Sequence, residues 1–139
     1  GADEYRKRAQ AFVDEISAPD RKIYIVEDNP ILPAHIKDYM IHPLNIFTTK
    51  KPLLPTRKSM LEKSQNFYET VNNINGLTFI RSLDAWCPID ECLIADDNGS
   101  LLYYDDNHLS VNAGGRFLVE KVLKPYLDEQ ILQTKEIIN

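Results

Sequence analysis

Long apolar runs are missing from this 139-residue sequence, and so is any excess of positive charge. Its apolar stretches fall far short of the roughly 20 residues that a bilayer-crossing helix needs. Sixteen lysines and arginines face 21 aspartates and glutamates, for a net charge of -5. Phosphate binding needs a basic footprint, so nucleic acid is excluded as the main partner. Soft metal ligands are scarce as well. Two cysteines, Cys87 and Cys92, leave a structural zinc site without its remaining thiolates, so no metal is expected. The charged stretch Gly1 to Arg8 precedes no apolar core; any membrane anchor or export signal is therefore expected outside these residues. No repeat, low-complexity tract or linker interrupts the chain. What is present is enough ordinary globular sequence for one domain, 43% hydrophobic and 27% charged.

Tyr5, Ala9, Phe12, Val13 and Ile16 recur at helical spacing, which predicts a helix from Asp3 to Ile16. Ser17-Ala18-Pro19-Asp20 ends it. Lys22 to Glu27 (KIYIVE) follows as a strand whose continuous apolar run predicts burial on both faces, as in a parallel sheet. Prolines punctuate Asn29 to Pro55 and leave room for one short helix near Ala34 to Met40. A connection of this kind lies where ligands usually bind in parallel sheets. It either carries specificity or merely covers the core. Thr56 opens a second long helix, to about Asn73, and Leu77 to Leu83 (LTFIRSL) reads as a second parallel strand. Cys87 and Cys92 flank Pro88 in a tight loop beside Trp86. A short-loop disulfide, worth about 2 kcal/mol on the chain-entropy model, is preferred there to two free thiols. If it forms, the compartment is oxidising. Asp96 to Gly99 is a turn signal between the arms of a small hairpin, Leu93–Ala95 and Ser100–Tyr103. Val111 to Leu123 is then helical, with Pro125 kinking or ending it and Tyr126 to Ile138 as a terminal helix. Two strands make a poor core, so the chain reads, as favoured here, as the C-terminal half of a larger α/β sheet; otherwise another copy covers the open edge of Lys22 to Glu27.

The stretch that carries chemistry is Tyr103 to Gly115, YYDDNHLSVNAGG. Asp105 stands three residues before His108 on a polar loop leading into a helix. That spacing lets a carboxylate turn back to one imidazole nitrogen and fix the tautomer, leaving the other nitrogen free to take a proton. The bland alternative makes Asp105 and Asn107 turn formers and His108 a surface residue. Ser110 is placed to cap the helix that follows. None of Ser17, Ser59, Ser64, Ser82, Ser100 or Ser110 has the surroundings of a nucleophile.

Cys87-Pro88, Cys92, Gly99, Leu102-Tyr103, Asp105 and His108-Leu109-Ser110 occur in one order with a small-residue pair. This resembles the C-terminal end of the SGNH-type domain of the acyltransferase-3 family of membrane O-acyltransferases, where D-x-x-H-L-S-x-x-G-A follows two cysteines and a short hairpin. The resemblance implies a partial flavodoxin-like three-layer sandwich, with parallel strands and a small hairpin. Residues 1–139 would be the C-terminal portion of that domain. It further implies that His108 is the catalytic base and Asp105 its partner, acting on an acyl-serine intermediate without a cofactor. The acceptor would be a cell-surface glycan or lipopolysaccharide, with donor and membrane engaged through the parent protein on its periplasmic or extracellular side. Two departures stand out. The Gly-Ala pair appears as Ala113-Gly114, which implies different packing of that helix's first turn. The G-D-S nucleophile block and the glycine and asparagine blocks of the oxyanion hole are missing, so the chain alone should be inactive.

Other readings compete. A non-catalytic glycan-binding or interaction module would keep the fold without the nucleophile. KIYIVEDNP resembles the first strand of a response-regulator receiver domain, with Glu27 and Asp28 as magnesium-binding acids, but the preceding helix and the following prolines argue against it. An acidic turn closing a strand is the plainer account of that pair. His35 and His42 are seven positions apart, yet Pro43 makes a shared metal unexpected. Trp86 either stacks on a sugar or, as favoured here, packs over the cysteine pair.

Overall fold

A computed structural model describes residues 1–40 and 52–129. Helix α1 spans Ala2–Ile16 and strand β1 Ile23–Val26; the short helix α2 covers Ile36–Tyr39 and the long α3 Arg57–Val71. Strand β2 is Leu77–Ile80, followed at once by α4, Leu83–Trp86. The last element is α5, Ala113–Phe117, which widens into a π-helical segment, Leu118–Leu123.

Local chemistry explains where the long helix starts. The Thr56 hydroxyl accepts the Ser59 N–H at 3.2 Å, and the Ser59 hydroxyl accepts the Thr56 N–H at 3.1 Å. This reciprocal capping box satisfies two donors that the first turn leaves unpaired. Asn75-Gly76 ends the excursion with Gly76 at φ +83°, a conformation glycine adopts without cost.

β1 and β2 pair in parallel, Ile23 opposite Leu77 through Val26 opposite Ile80. One face of this sheet receives α3, whose Phe67 and Tyr68 rings lie 5.7 and 5.8 Å from Phe79. On the other face the Tyr126 ring meets Tyr24 edge-on at 6.1 Å. The fold is therefore mixed α/β, with helix, sheet and helix as its layers. α1 packs beside α3, burying Val13, while the Gln10 amide clasps the Asn75 backbone in both directions.

The expected burial of both strand faces is not what the structure shows. Ile23, Tyr24 and Ile25 are only half-buried and Val26 is 37% exposed. The cause is the sheet's size: among the described residues it has two strands, so β1 is covered along one edge only. The Glu27 N–H continues the ladder to the Ile80 carbonyl at 2.9 Å. By alternation, the backbone groups of Tyr24 and Val26 point to the free edge.

The main core lies beyond the carboxyl ends of the strands. Trp86, Cys87, Cys92, Leu102 and Tyr103 pack there with Leu83 and Met60. Leu32, Ile36 and Tyr39 of the proline-rich connection complete it, so that connection's described part covers the core. Cys87 and Cys92 are joined as a disulfide at its centre. Trp86 is fully buried, its ring 4.6 Å from Phe117, which assigns it to packing and removes it from any sugar site. Arg57 ties α3 to this unit by pairing with Asp84 and donating to the Cys87 carbonyl at 2.8 Å.

The expected hairpin forms: Ala95 bridges Leu101 antiparallel, the Asp96 N–H reaches the Ser100 carbonyl and the Leu102 N–H the Ile94 carbonyl, both at 2.9 Å. A second bridge, Tyr103 with Leu109, follows it. One further expectation needs correction. Pro125 does not end the last helix: residues 124–129 are helical. The Lys124 N–H bonds back to the Val119 carbonyl, one residue farther than an α-turn, so the ladder is already widened where proline has no N–H to give. The rest of the expected terminal helix, and His42 with Pro43, lie outside the described residues.

Candidate functional site

The site is built on a hairpin that turns twice. Asp96 makes the first turn, its Oδ1 accepting the Asn98 and Ser100 N–H groups at 3.0 and 2.8 Å, with Gly99 at φ +78°. The chain then dives inward through buried Leu102 and Tyr103 and emerges at Tyr104. Across the second turn, the Tyr104 N–H donates to the His108 carbonyl at 2.8 Å and the Ser110 N–H to the Leu102 carbonyl at 2.9 Å.

Asp105 organises the tip between those strands. Its Oδ1 accepts the backbone N–H of Asn107 at 3.0 Å and of His108 at 2.8 Å, an Asx-type turn. Its Oδ2 lies 2.8 Å from His108 Nδ1. The backbone N–H groups of His108 and Asn107, with the imidazole after them, hold the Asp105 carboxyl well below the usual carboxylate range. In return, the hydrogen bond to Asp105 and then its charge raise the His108 pKa above the ordinary imidazole value. An ionised Asp105 offers only acceptors, so Nδ1 carries the proton and Nε2 of the neutral ring is a free base. The His108 side chain is 74% exposed against 22% for Asp105. The ring thus has one nitrogen fixed and the other open.

Ser110 works as a cap by an indirect route. The helix begins at Ala113 rather than Val111, and Asn112 at the cap position makes no side-chain bond. The Ser110 hydroxyl instead accepts the Gly114 N–H at 2.9 Å and donates to the Leu101 carbonyl at 2.7 Å, locking helix to hairpin. Gly114 shows why the small-residue pair matters. A Cβ there would sit 2.0 Å from the Leu102 carbonyl oxygen, so the second position of Ala113-Gly114 admits no side chain.

The loop after β1 holds the tip from the other side, which the sequence did not reveal. The Asn29 amide donates to the Asn107 carbonyl at 2.9 Å, and the Leu32 N–H donates to the Asp106 carbonyl at 2.7 Å. Glu27 anchors that loop. Glu27 is 7% exposed, and its carboxylate accepts the Tyr68 hydroxyl and the N–H groups of Ser82 and Leu83, the latter two at 2.9 Å. Burial first, and this hydrogen bond second, push the Tyr68 pKa up to about 12. Glu27 is therefore neither a magnesium-binding acid nor a solvated turn, because its oxygens are already engaged. A strand ending in Glu-Asp-Asn-Pro was the available signal for this junction, but partners 41 to 78 residues away are invisible to local pattern.

Other expected site residues fall elsewhere. His35 caps α2, its Nδ1 accepting the Lys37 N–H at 3.3 Å. Ser59, Ser82 and Ser110 are engaged in backbone hydrogen bonds. The imidazole's hydrogen bond among the described residues is to Asp105. Along the free edge of β1 runs a cleft of about 680 Å³, lined in part by Val26, Glu27, Asn29, Ile31, Lys63 and Leu118. It opens at the same strand end that carries Asn29 to the hairpin tip.

A family model described as the SGNH domain (fused to AT3 domains) matches residues 1–124. The chain belongs to this SGNH family. A search of curated proteins and one of solved structures each found no match. The matched span of the SGNH domain contains both arms of the site, the β1 loop and the Asp105–His108 tip. Among its described residues, no helix is long and apolar enough to cross a membrane.

Proposed function

We propose that this SGNH domain contributes the base half of an acyl-serine site to a longer membrane O-acyltransferase, whose acceptor is a cell-surface glycan or lipopolysaccharide. The observation that carries the reading is the Asp105–His108 pair, 2.8 Å apart, with Nε2 open to solvent beyond the carboxyl ends of parallel strands. His108 Nε2 takes the proton of a serine hydroxyl as that oxygen attacks the acyl carbonyl. The resulting imidazolium, steadied by Asp105, returns the proton to the departing donor group, leaving an acyl-serine. An acceptor hydroxyl then enters, gives its proton to Nε2 and attacks the ester carbonyl. The serine oxygen leaves and is reprotonated by His108, releasing the O-acylated glycan. If water enters instead, the same steps hydrolyse the ester.

Residues 1–139 form the C-terminal portion of the domain in this reading. The serine and the oxyanion-hole donors come from strands seated along the edge of β1 that pairs with no strand among the described residues, beside the open cleft. The chain alone is then inactive. The buried disulfide supports a periplasmic or extracellular location for the domain. The test is His108→Ala in the full-length parent. Acyl transfer is expected to fall by at least ~100-fold while the thermal melt is kept, since the ring is exposed; retained transfer overturns the assignment.

A further inference from the structure

The register of the hairpin tip places a second side chain beside the base. Tyr103 and Leu109 are bridged, so the next residues outward, Tyr104 and His108, face one another across the ladder. Their backbone pairing is half complete: the Tyr104 N–H reaches the His108 carbonyl at 2.8 Å, while the His108 N–H is taken by Asp105. Residues directly opposite on an antiparallel pair project to the same face, with Cβ atoms about 5 Å apart. Tyr103 is buried in the core, whereas Tyr104 is 76% exposed. A largely exposed tyrosine, in no aromatic pair among the described residues and fixed at its backbone, thus stands on the same face of the ladder as His108.

We infer that Tyr104 is the platform on which the acceptor's sugar ring lies while its hydroxyl reaches His108. This rests on the proposed role of His108 and deepens it. A flat ring with a polar tip suits a pyranose, whose C–H face is apolar and whose edge carries hydroxyls. Charge narrows the class further. Glu27 to Ala34 and Asp96 to Leu109, the segments that meet at the tip, contain no lysine or arginine. They carry exposed Asp28 and Asp106 beside Asp105. A phosphorylated or uronate ring would meet like charge there, so the acceptor unit is a neutral hexose.

The experiment uses the full-length parent, with a neutral hexose oligosaccharide and its uronate counterpart as acceptors and p-nitrophenyl acetate as donor. Tyr104→Ala is expected to raise the KM for the neutral acceptor about tenfold, with kcat changed less, and to lower the ratio of transfer to hydrolysis. Tyr104→Phe and Tyr104→Trp should keep KM near wild type, because the ring face is retained. An unchanged acceptor KM in Tyr104→Ala overturns the platform. So does an equal loss of transfer and hydrolysis, which marks a structural role, or a uronate acceptor that works as well as the neutral one. His108→Ala separates this from the catalytic reading: if it removes both reactions while Tyr104→Ala moves neither KM nor the ratio, only the platform fails. If His108→Ala leaves transfer intact, the catalytic reading fails and the platform loses its basis.

Discussion

The two ends of this molecule are built to different standards of closure. Beyond the strand ends, Trp86, both cysteines and Leu102 are at most 1% exposed, and a disulfide, a capping serine and an Arg57 clamp hold the unit together. Along β1, by contrast, no strand residue is buried, and a cleft of about 680 Å³ runs beside an edge that pairs with no strand among the described residues. The closed region presents His108; the open region is where the proposed reading seats the remaining strands. Burial on one side and exposure on the other teach that His108 is positioned by its own local core, independently of the open edge of β1. Loading the two regions separately tests that view.

Gly114→Ala should have the largest effect. The added Cβ meets the Leu102 carbonyl oxygen at 2.0 Å and the Leu109 Cβ at 3.0 Å, and the first of these is backbone, which a side-chain rotation cannot clear. A loss of about 3 kcal/mol is expected, read as a lowered urea midpoint with unchanged m-value. Near-neutral behaviour would mean that the helix start is not pressed against the hairpin, and that the closed region is looser than described.

Glu27→Gln comes next, because Glu27 joins the two regions. It removes a buried charge that accepts the Tyr68 hydroxyl and two backbone N–H groups. About 2 kcal/mol of stability should be lost, the size of a hydrogen-bonded buried charge. The Tyr68 midpoint should also fall from about 12, since the bond to Glu27 is one of the causes that raise it. The absorbance titration of the phenols reads that shift. A Tyr68 midpoint that does not move would show that burial alone raises it.

Much of this was legible in the sequence, and the limits have physical causes. α1, β1, α3 and β2 follow from apolar period and caps, and Asp105 three residues before His108 announces its own hydrogen bond. Cys87 and Cys92 in one short loop announce the bridge. What stayed hidden depends on partners distant in sequence. KIYIVE has the composition of a strand covered on both sides, yet exposure depends on how many strands lie beside it, which no residue in the strand records. Glu27 looks like part of an acidic turn until Tyr68 and Ser82 are brought to it, and Asn29 shows no role until Asn107 is. Pro125 looks like a helix end until the wider turn before it has been seen.

The smallest effect on stability, and the sharpest on chemistry, is expected from Asp105→Asn. Both partners are solvent-accessible, so their pairing contributes little to folding; its sign still follows from the shifts. Asp105 has a lowered folded pKa, so its contribution is present above the ordinary carboxylate range and lost as pH falls through the folded value. His108 has a raised one, so its contribution is complete below about 6.5 and lost as pH rises through the folded value. Their shared contribution is therefore greatest in the mildly acidic window between those ranges. Asparagine keeps an oxygen for the Asn107 and His108 N–H groups but not the charge facing Nδ1, so the loop should survive while the imidazole loses its orienting anion. The His108 midpoint, followed by NMR of histidine-labelled chain, should then drop toward about 6.5, and Nε2–H should become the favoured tautomer, because that form is the more stable one for an unpartnered ring. Such a ring has its proton on the nitrogen that the proposed reaction needs as acceptor. A midpoint unmoved by the substitution would show that Asp105 only shapes the turn, reducing the closed region to a rigid loop with an ordinary histidine on it.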